Sequence, residues 1–438
     1  MSSIERLQQA EQALFQIFSG IDSQVKKNLR RVLTAFQTHQ VGVHHFTSVS
    51  GYGHDDLGRE ILDRVFADVM GAEAAIVRVQ FVSGTHAITS ALFGVLRPGD
   101  EMLAVAGAPY DTLEEVIGLR GHNQGSLKDF GIRYRQLELT KDGEIDWQVL
   151  SQAVRSDTRL VHIQRSCGYS WRPSLSIIDI EKIVHLVKQQ NPDTVCFVDN
   201  CYGEFVEDQE PTAVGADLMA GSLIKNPGGT IVTAGGYVAG RADLVEKAAA
   251  RLTAPGIGSA GGATFDQNRL LFQGLFLAPQ MVGEAMKGNH LTAYVFHELG
   301  YPVNPLPLSP RRDVIQAIQL GSPEKIIAFC RAIQAHSPIG AYLSPVPAQM
   351  PGYESDLVMA GGTFIDGSTS EFSADGPLRE PYVVFCQGGT HWTHVAIALE
   401  AAIEAIGENQ GESGVGNRSG EEGMNEDDQE VFLRRCGS

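Results

Sequence analysis

This chain is short of three things. Its six cysteines, at positions 167, 196, 201, 330, 386 and 436, contain no CxxC pair. That spacing matches neither a zinc site nor a disulfide framework, and Cys196 and Cys201 are expected buried and reduced. No apolar run reaches membrane-spanning length, and the start, Met1-Ser2-Ser3-Ile4-Glu5-Arg6, has no apolar signal core. The expectation is a cytoplasmic protein with no membrane partner. Basic charge is also scarce: the net charge is -18 over 438 residues. So acidic a surface disfavours non-specific binding to nucleic acid or anionic lipid. Internal repeats are missing as well.

Hydrophobic residues make up 43% of the chain, enough for a large core and two or more domains. Residues 1–50 read as an N-terminal arm. Ala10, Leu14, Ile17 and Phe18, then Val25, Leu29, Val32, Leu33 and Phe36, recur at helical spacing before a turn-rich run, Ser48 to Gly53. Residues 51–290 alternate between the two periods. Helices are expected at 59–70, 84–95 and 111–118, and strands at 75–82, 101–106, 159–164, 194–199 and 231–237. Such alternation specifies an α/β fold with a mainly parallel sheet and helices on both faces, its ligand beyond the strand C-termini. Residues 291–407 mix helices (291–299, 323–335, 393–406) with short strands (357–364, 381–386), a smaller α+β domain whose stretch Pro302 to Pro310 reads as extended. Residues 408–438 hold eight acids and three arginines among many glycines and form an acidic tail expected to be disordered.

The chemistry concentrates in four places. Thr194-Val195-Cys196-Phe197-Val198-Asp199 is a strand ending in an acid, and Lys225 follows 26 positions later in Gly221-Ser222-Leu223-Ile224-Lys225-Asn226-Pro227-Gly228-Gly229. An amine to form a Schiff base and a carboxylate to keep a pyridine nitrogen protonated are what pyridoxal 5'-phosphate (PLP) requires. Small and apolar neighbours imply a partly buried lysine of reduced proton affinity. Upstream, Ser83-Gly84-Thr85-His86 opens a helix, where glycine admits an anion to unpaired N–H groups. Ser222 offers a hydroxyl, and Tyr110, just past the next strand, offers a ring to stack and a phenol to exchange a proton. Each has a plainer reading taken singly: a helix cap for Asp199, a surface amine for Lys225, a packing residue for Ser222, a loop aromatic for Tyr110. His86 fits helix packing. His44 and His45 fit a turn. His391 and His394 stand at i, i+3 without a third ligand, so no metal is expected.

Several runs together resemble the fold-type-I PLP enzymes, and among them the methionine gamma-lyase-like family linked by name to aluminium resistance and related to cystathionine lyases. They are Gly51-Tyr52-Gly53-His54-Asp55-Asp56, Ser83-Gly84-Thr85-His86-Ala87, Pro109 to Glu115, Gly221 to Gly229, Arg251 to Gly258, Gln273 to Pro279 and Gln387-Gly388-Gly389. The resemblance implies the PLP-dependent transferase-like (aspartate aminotransferase-type) three-layer fold. It implies Lys225 as the Schiff-base lysine, Asp199 as the partner of the ring nitrogen and Tyr110 as the stacking tyrosine. Gly84, Thr85 and Ser222 become the phosphate cradle. Tyr52 becomes the tyrosine that reaches the phosphate from a neighbouring subunit, in a dimer that pairs into a tetramer. The chain departs from the pattern at Thr390-His391-Trp392, where a Leu-Thr-Tyr type of run is expected.

These expectations describe a carbon–sulfur lyase acting on a sulfur-containing amino acid by β- or γ-elimination. The substrate carboxylate wants an arginine fork, with Arg379 the first candidate and Arg312 the second. A PLP-dependent β-hydroxy amino acid aldolase would also suit the Ser-Gly-Thr run, but such enzymes stack a histidine where this chain has Tyr110. A PLP-fold scaffold with little catalysis is the reading from another class. No Gly-x-Arg phosphate motif follows the lysine, which disfavours an aminotransferase.

Overall fold

A computed structural model describes residues 1–121, 125–350, 353, 355–368 and 370–408. The acidic tail expected over 408–438 lies almost wholly outside these. The chain divides into two units, a larger one of residues 22–283 with 311–313 and a smaller one of residues 1–21, 284–310 and 314 onward. The first helix, α1 (Ser3–Thr38), is continuous, with residues up to 21 in the smaller unit and the rest in the larger.

In the larger unit the elements after α1 run α2 (Leu57–Met70), β1 (Ala74–Arg78), α3 (Gly84–Val95), β2 (Glu101–Ala104), α4 (Asp111–Ile117), β3 (Arg133–Gln136), α5 (Trp147–Leu150) and β4 (Thr158–Gln164). Then come α6 (Ile177–Gln190), β5 (Val195–Asp199), β6 (Leu218–Ser222), β7 (Gly236–Gly240), α7 (Ala242–Leu252) and the start of α8 (Asn268–Glu298). The seven strands form one sheet in the order β1-β7-β6-β5-β4-β2-β3. β6, β5, β4, β2 and β3 are parallel, while β7 runs antiparallel to both its neighbours. The strand expected over 231–237 is this β7, starting five residues later, because Thr230–Gly235 is spent on the turn that reverses the chain.

Local chemistry sets the helix starts. The Ser83 hydroxyl accepts from the His86 N–H at 3.2 Å and opens α3, and Ser176 with Asp179 forms a capping box on α6. Ile88, Ala91, Leu92 and Val95 of α3 share a core with Leu244, Val245 and Ala248 of α7 and with Phe197, Leu218, Ala220 and Val238 of the sheet. Gly94 lets the two helices touch, since a Cβ there would lie 2.9 Å from the Ala248 nitrogen. Tyr237, beside Val238, points to the opposite face and meets Phe66 of α2 with ring centroids 4.8 Å apart. Helices therefore cover both faces, giving three layers.

The smaller unit carries β8 (Val303–Asn304), β9 (Ile315–Gln319), α9 (Pro323–Ala335), β10 (Leu357–Ala360), β11 (Ser373–Pro377), β12 (Val383–Gln387) and α10 (Trp392–Glu408). Its sheet, in the order β10-β11-β12-β9-β8, is antiparallel throughout. Ile326, Phe329 and Ile333 of α9, Val395, Leu399 and Ala402 of α10, and Leu7, Ala10 and Leu14 of α1 share its core. The helix expected at 291–299 is the end of α8, which runs unbroken through Pro279. Among the described residues no helix is long and apolar enough to cross a membrane.

Candidate active site

The site lies in the larger unit at the C-terminal tips of β5 and β6, where open α/β sheets place their ligands. Asp199 ends β5, and its register partner on β6 is Ala220, two residues before Ser222. Asp199 is buried, and its Oδ1 accepts from the Cys201 N–H at 3.1 Å. Burial raises its pKa, against the pull of the Cys201 N–H and thiol and the charge of Lys225. The thiol of Cys201 is itself pushed well above the ordinary value, by burial and by Asp199.

Lys225 follows β6 in the loop leading to Asn226–Gly228. Its Nζ stands over the ring of Tyr202, 3.8 Å from the centroid. Burial works against the ammonium, but Tyr202, Cys201 and Asp199 outweigh it, and the amine's pKa is raised. This runs against the expectation of reduced proton affinity: small apolar neighbours in sequence are offset in space by the ionisable groups of Tyr202 and Cys201, a hydrogen bond with Tyr202, and Asp199.

The helix start predicted to take an anion is adjacent. A Cβ at Gly84 would lie 3.0 Å from the Cβ of Ser222 and 3.4 Å from both the Ser222 nitrogen and the Cys201 sulfur. A glycine suits this close approach of the first turn of α3 to the β6 tip. The first N–H groups of α3 have no acceptor within the helix and form, with Ser222, a fitting anion cradle. Thr85 Oγ1 lies 3.2 Å from Thr112 Oγ1, which ties this helix start to that of α4, where Tyr110 is the residue just before the first turn. The Tyr110 ring faces Tyr169 at 5.7 Å, and a Cβ on Gly168 would come within 2.9 Å of it. Contacts therefore connect Asp199, Lys225, Gly84, Thr85, Ser222 and Tyr110 in one neighbourhood.

Two residues here were not legible in the sequence, Tyr202, described above, and Gln164; Cys201 is buried as expected. Gln164, at the end of β4, is the register partner of Asp199. It is buried, and its amide nitrogen donates to the Ser166 carbonyl at 3.0 Å, while its Oε1 has no donor among the described residues. A buried acceptor left open beside an acid marks a place for a bound group. The residues thus fit PLP: an amine, a carboxylate, an anion cradle and an open polar atom converge.

The other predicted residues lie as follows. Tyr52 is 84% exposed, its ring 5.7 Å from that of His54. Arg312 belongs to the larger unit, and its Nη1 donates to the Ser174 carbonyl at 3.0 Å and pairs with Asp179 at 3.3 Å, which commits it to the start of α6. Arg379 is exposed, in the turn before β12 of the smaller unit. His394 Nε2 contacts the His336 carbonyl at 2.7 Å, and no metal-binding group is found among the described residues.

A protein of Bacillus subtilis strain 168, YnbB, itself uncharacterized, is 50% identical over 397 residues, 90% of this chain and 94% of that protein. The crystal structure of a carbon-sulfur lyase involved in aluminum resistance from Clostridium novyi NT superposes with a TM-score of 0.88 at 46% identity, covering 92% of this chain and 96% of that one. The L-methionine gamma-lyase of Pseudomonas putida is 28% identical over 190 residues, 43% of this chain and 42% of that enzyme. A family model described as methionine gamma-lyase matches residues 3–407. The chain belongs to the methionine gamma-lyase family, with the fold of the PLP-dependent fold-type-I enzymes.

Proposed function

We propose that this protein is a PLP-dependent carbon–sulfur lyase that cleaves a sulfur-containing amino acid by β- or γ-elimination. The observation that carries the reading is the convergence of Asp199, Lys225 and the Gly84–Ser222 cradle at two neighbouring strand tips. When bound, PLP supplies an electron sink for the substrate's Cα carbanion. Lys225 would hold the cofactor through Nζ, Asp199 would keep the proton on its ring nitrogen, Gly84, Thr85 and Ser222 would bind its phosphate, and Tyr110 would lend its ring. Lys225 Nζ, as the free amine, would take the substrate's Cα proton. The Tyr110 hydroxyl or Lys225 gives a proton to the departing sulfur, and a γ-elimination needs one further transfer by the same pair. Arg379 is assigned to the substrate carboxylate, with Arg312 the second candidate. The neighbouring subunit of a homodimer lends Tyr52 to the phosphate, two dimers form a tetramer, and the enzyme works in the cytoplasm.

The test is a panel of cystathionine, methionine, cysteine and threonine, scoring released keto acid and thiol against acetaldehyde. Keto acid with thiol from a sulfur substrate is expected. Acetaldehyde from threonine without thiol from any sulfur substrate would overturn the proposal. Lys225→Ala should lose both turnover and the cofactor's visible absorbance band.

A further inference from the structure

Glu204 is fully buried in the turns that follow Asp199, and the chemistry above makes no use of it. Its Oε1 accepts from the Tyr237 hydroxyl of β7 at 2.7 Å. A Cβ on Gly221 would lie 2.7 Å from both that oxygen and the phenol, so the pair presses on β6 just before Ser222. The Glu204 carbonyl accepts from Asn226 Nδ2 at 3.0 Å, and Asn226, also buried, directly follows Lys225. Two atoms of this group have no partner among the described residues, Glu204 Oε2 and Asn226 Oδ1. With Glu204 ionised both are acceptors, and two buried acceptors cannot satisfy each other. The charge nearby is balanced without Glu204. Arg31 pairs with Glu210 at 3.0 Å, and Arg165 pairs with Glu207 at 2.8 Å and Glu210 at 3.6 Å. No cation pairs with Glu204 among the described residues, and a buried carboxyl without a cation keeps its proton.

We propose that Glu204 is a neutral acid that donates its proton in a hydrogen bond to Asn226 Oδ1, directly or through one buried water, and so clamps the turn carrying Lys225 to the turn carrying Cys201 and Tyr202. Glu204 is thus a positioning residue, which acts on the amine through Asn226. Its bearing on catalysis rests on the assignment of Lys225 as the cofactor-bearing amine; the clamp itself does not. One protonated acid satisfies both open atoms at once. Burial lifts the Glu204 pKa to about 8, against the hydrogen bond from Tyr237, and the charge of Glu210 adds to the rise while that of Arg165 opposes it. The remaining ionisable neighbour is Cys201, whose thiol burial keeps protonated, as it keeps the Tyr237 phenol. A raised pKa means that the neutral form, and the clamp with it, is present below about 8 and is lost as pH rises through that value.

Amide hydrogen exchange of the Lys225 turn reads the clamp, since the Gly228 N–H bonds to the Lys225 carbonyl at 3.1 Å and the Gly229 N–H to the Asn226 carbonyl at 3.3 Å. It is followed by mass spectrometry on the full-length protein, without and with PLP, from about pH 6 to 9 and relative to the intrinsic rate at each pH. Wild-type protection should fall roughly tenfold toward the alkaline end, because one unit above the pKa only about a tenth of the acid keeps its proton. Glu204→Gln supplies an N–H that does not ionise and should stay protected throughout. Glu204→Met keeps the bulk without the donor. It should be about tenfold less protected already at neutral pH and should bind PLP, read at the visible band, more weakly by a similar factor, while Glu204→Gln binds it like the wild type. Loss of packing alone would give no pH step that glutamine abolishes. Equal protection of wild type and Glu204→Gln across the range overturns the proposal, and so does a Glu204→Gln turn as open at neutral pH as that of Glu204→Met. If Glu204→Met does not fold, the wild type and Glu204→Gln decide between them. A wild-type protein that never takes up PLP overturns instead the assignment of Lys225, while the exchange comparison still decides the clamp.

Discussion

Gly84 is the residue at which geometry and chemistry meet most tightly. A Cβ there presses on the Ser222 Cβ at 3.0 Å and touches the Ser222 nitrogen and the Cys201 sulfur at 3.4 Å. The β6 tip cannot retreat without disturbing its pairing with β5 and β7. Gly84→Ala should therefore widen the cradle and weaken cofactor binding about tenfold or more, the overpacking cost of one to three kcal/mol. Titration of the apoprotein with PLP, read at the visible band, measures it, and wild-type affinity would refute the cradle's closeness. Gly84, Asp199 and Lys225 were legible in the sequence because each belongs to a local pattern: a helix start, a strand tip, a lysine among small residues. Tyr202 and Gln164 were not. Nothing local announces a tyrosine at positive φ, and the open oxygen of Gln164 has meaning only once β4 and β5 are paired.

Elements were legible where the helical period was clear. α3 and α9 start where expected, at residues 84 and 323, and in each a serine hydroxyl caps the start, Ser83 and Ser322. β7 was displaced because an apolar run and a strand are not the same thing, and α8 was expected only from residue 291 although it starts at Asn268. α2 shows how much one cap can hold. Asp56 accepts from the Arg59 N–H at 2.9 Å, Asn268 Nδ2 at 3.2 Å, Thr264 Oγ1 at 2.9 Å and the Val49 N–H at 3.4 Å. Burial would raise its pKa, but these donors outweigh burial and hold it below the ordinary carboxylate value. A depressed folded pKa means the stabilisation is whole above the unfolded pKa and is lost as pH falls through the folded one. Asp56→Ala should cost about 3 kcal/mol at neutral pH, the cap plus orphaned buried donors. The gap between variant and wild type in urea unfolding should narrow as the solution is acidified. A gap that stays constant down to acid pH would refute the ionised cap.

At the scale of the whole molecule, α1 contributes to both units, and its apolar stripe reads the same along its length, so nothing local in the sequence marks where one unit gives way to the other. Assembly is less local still. Tyr52 is held out on a fixed backbone: its carbonyl accepts from the Gly262 N–H at 2.9 Å, and Gly51 and Gly53 on either side have positive φ. A Cβ on Gly53 would strike the Gly262 carbonyl carbon at 2.5 Å, so the loop cannot swing freely. An aromatic ring that is rigid in backbone and exposed in side chain suits a role across an interface. If the neighbouring subunit's site takes this ring, then a two-fold pair has two composite sites, each with Lys225 from one chain and Tyr52 from the other. Lys225→Ala and Tyr52→Ala proteins, each inactive or nearly so alone, should complement when unfolded and refolded together. Random pairing makes half the dimers mixed, and one of their two sites is intact, so about a quarter of wild-type activity should return. If the mixture recovers nothing while each variant still binds its own kind, Tyr52 serves its own chain or none, and the shared site is refuted.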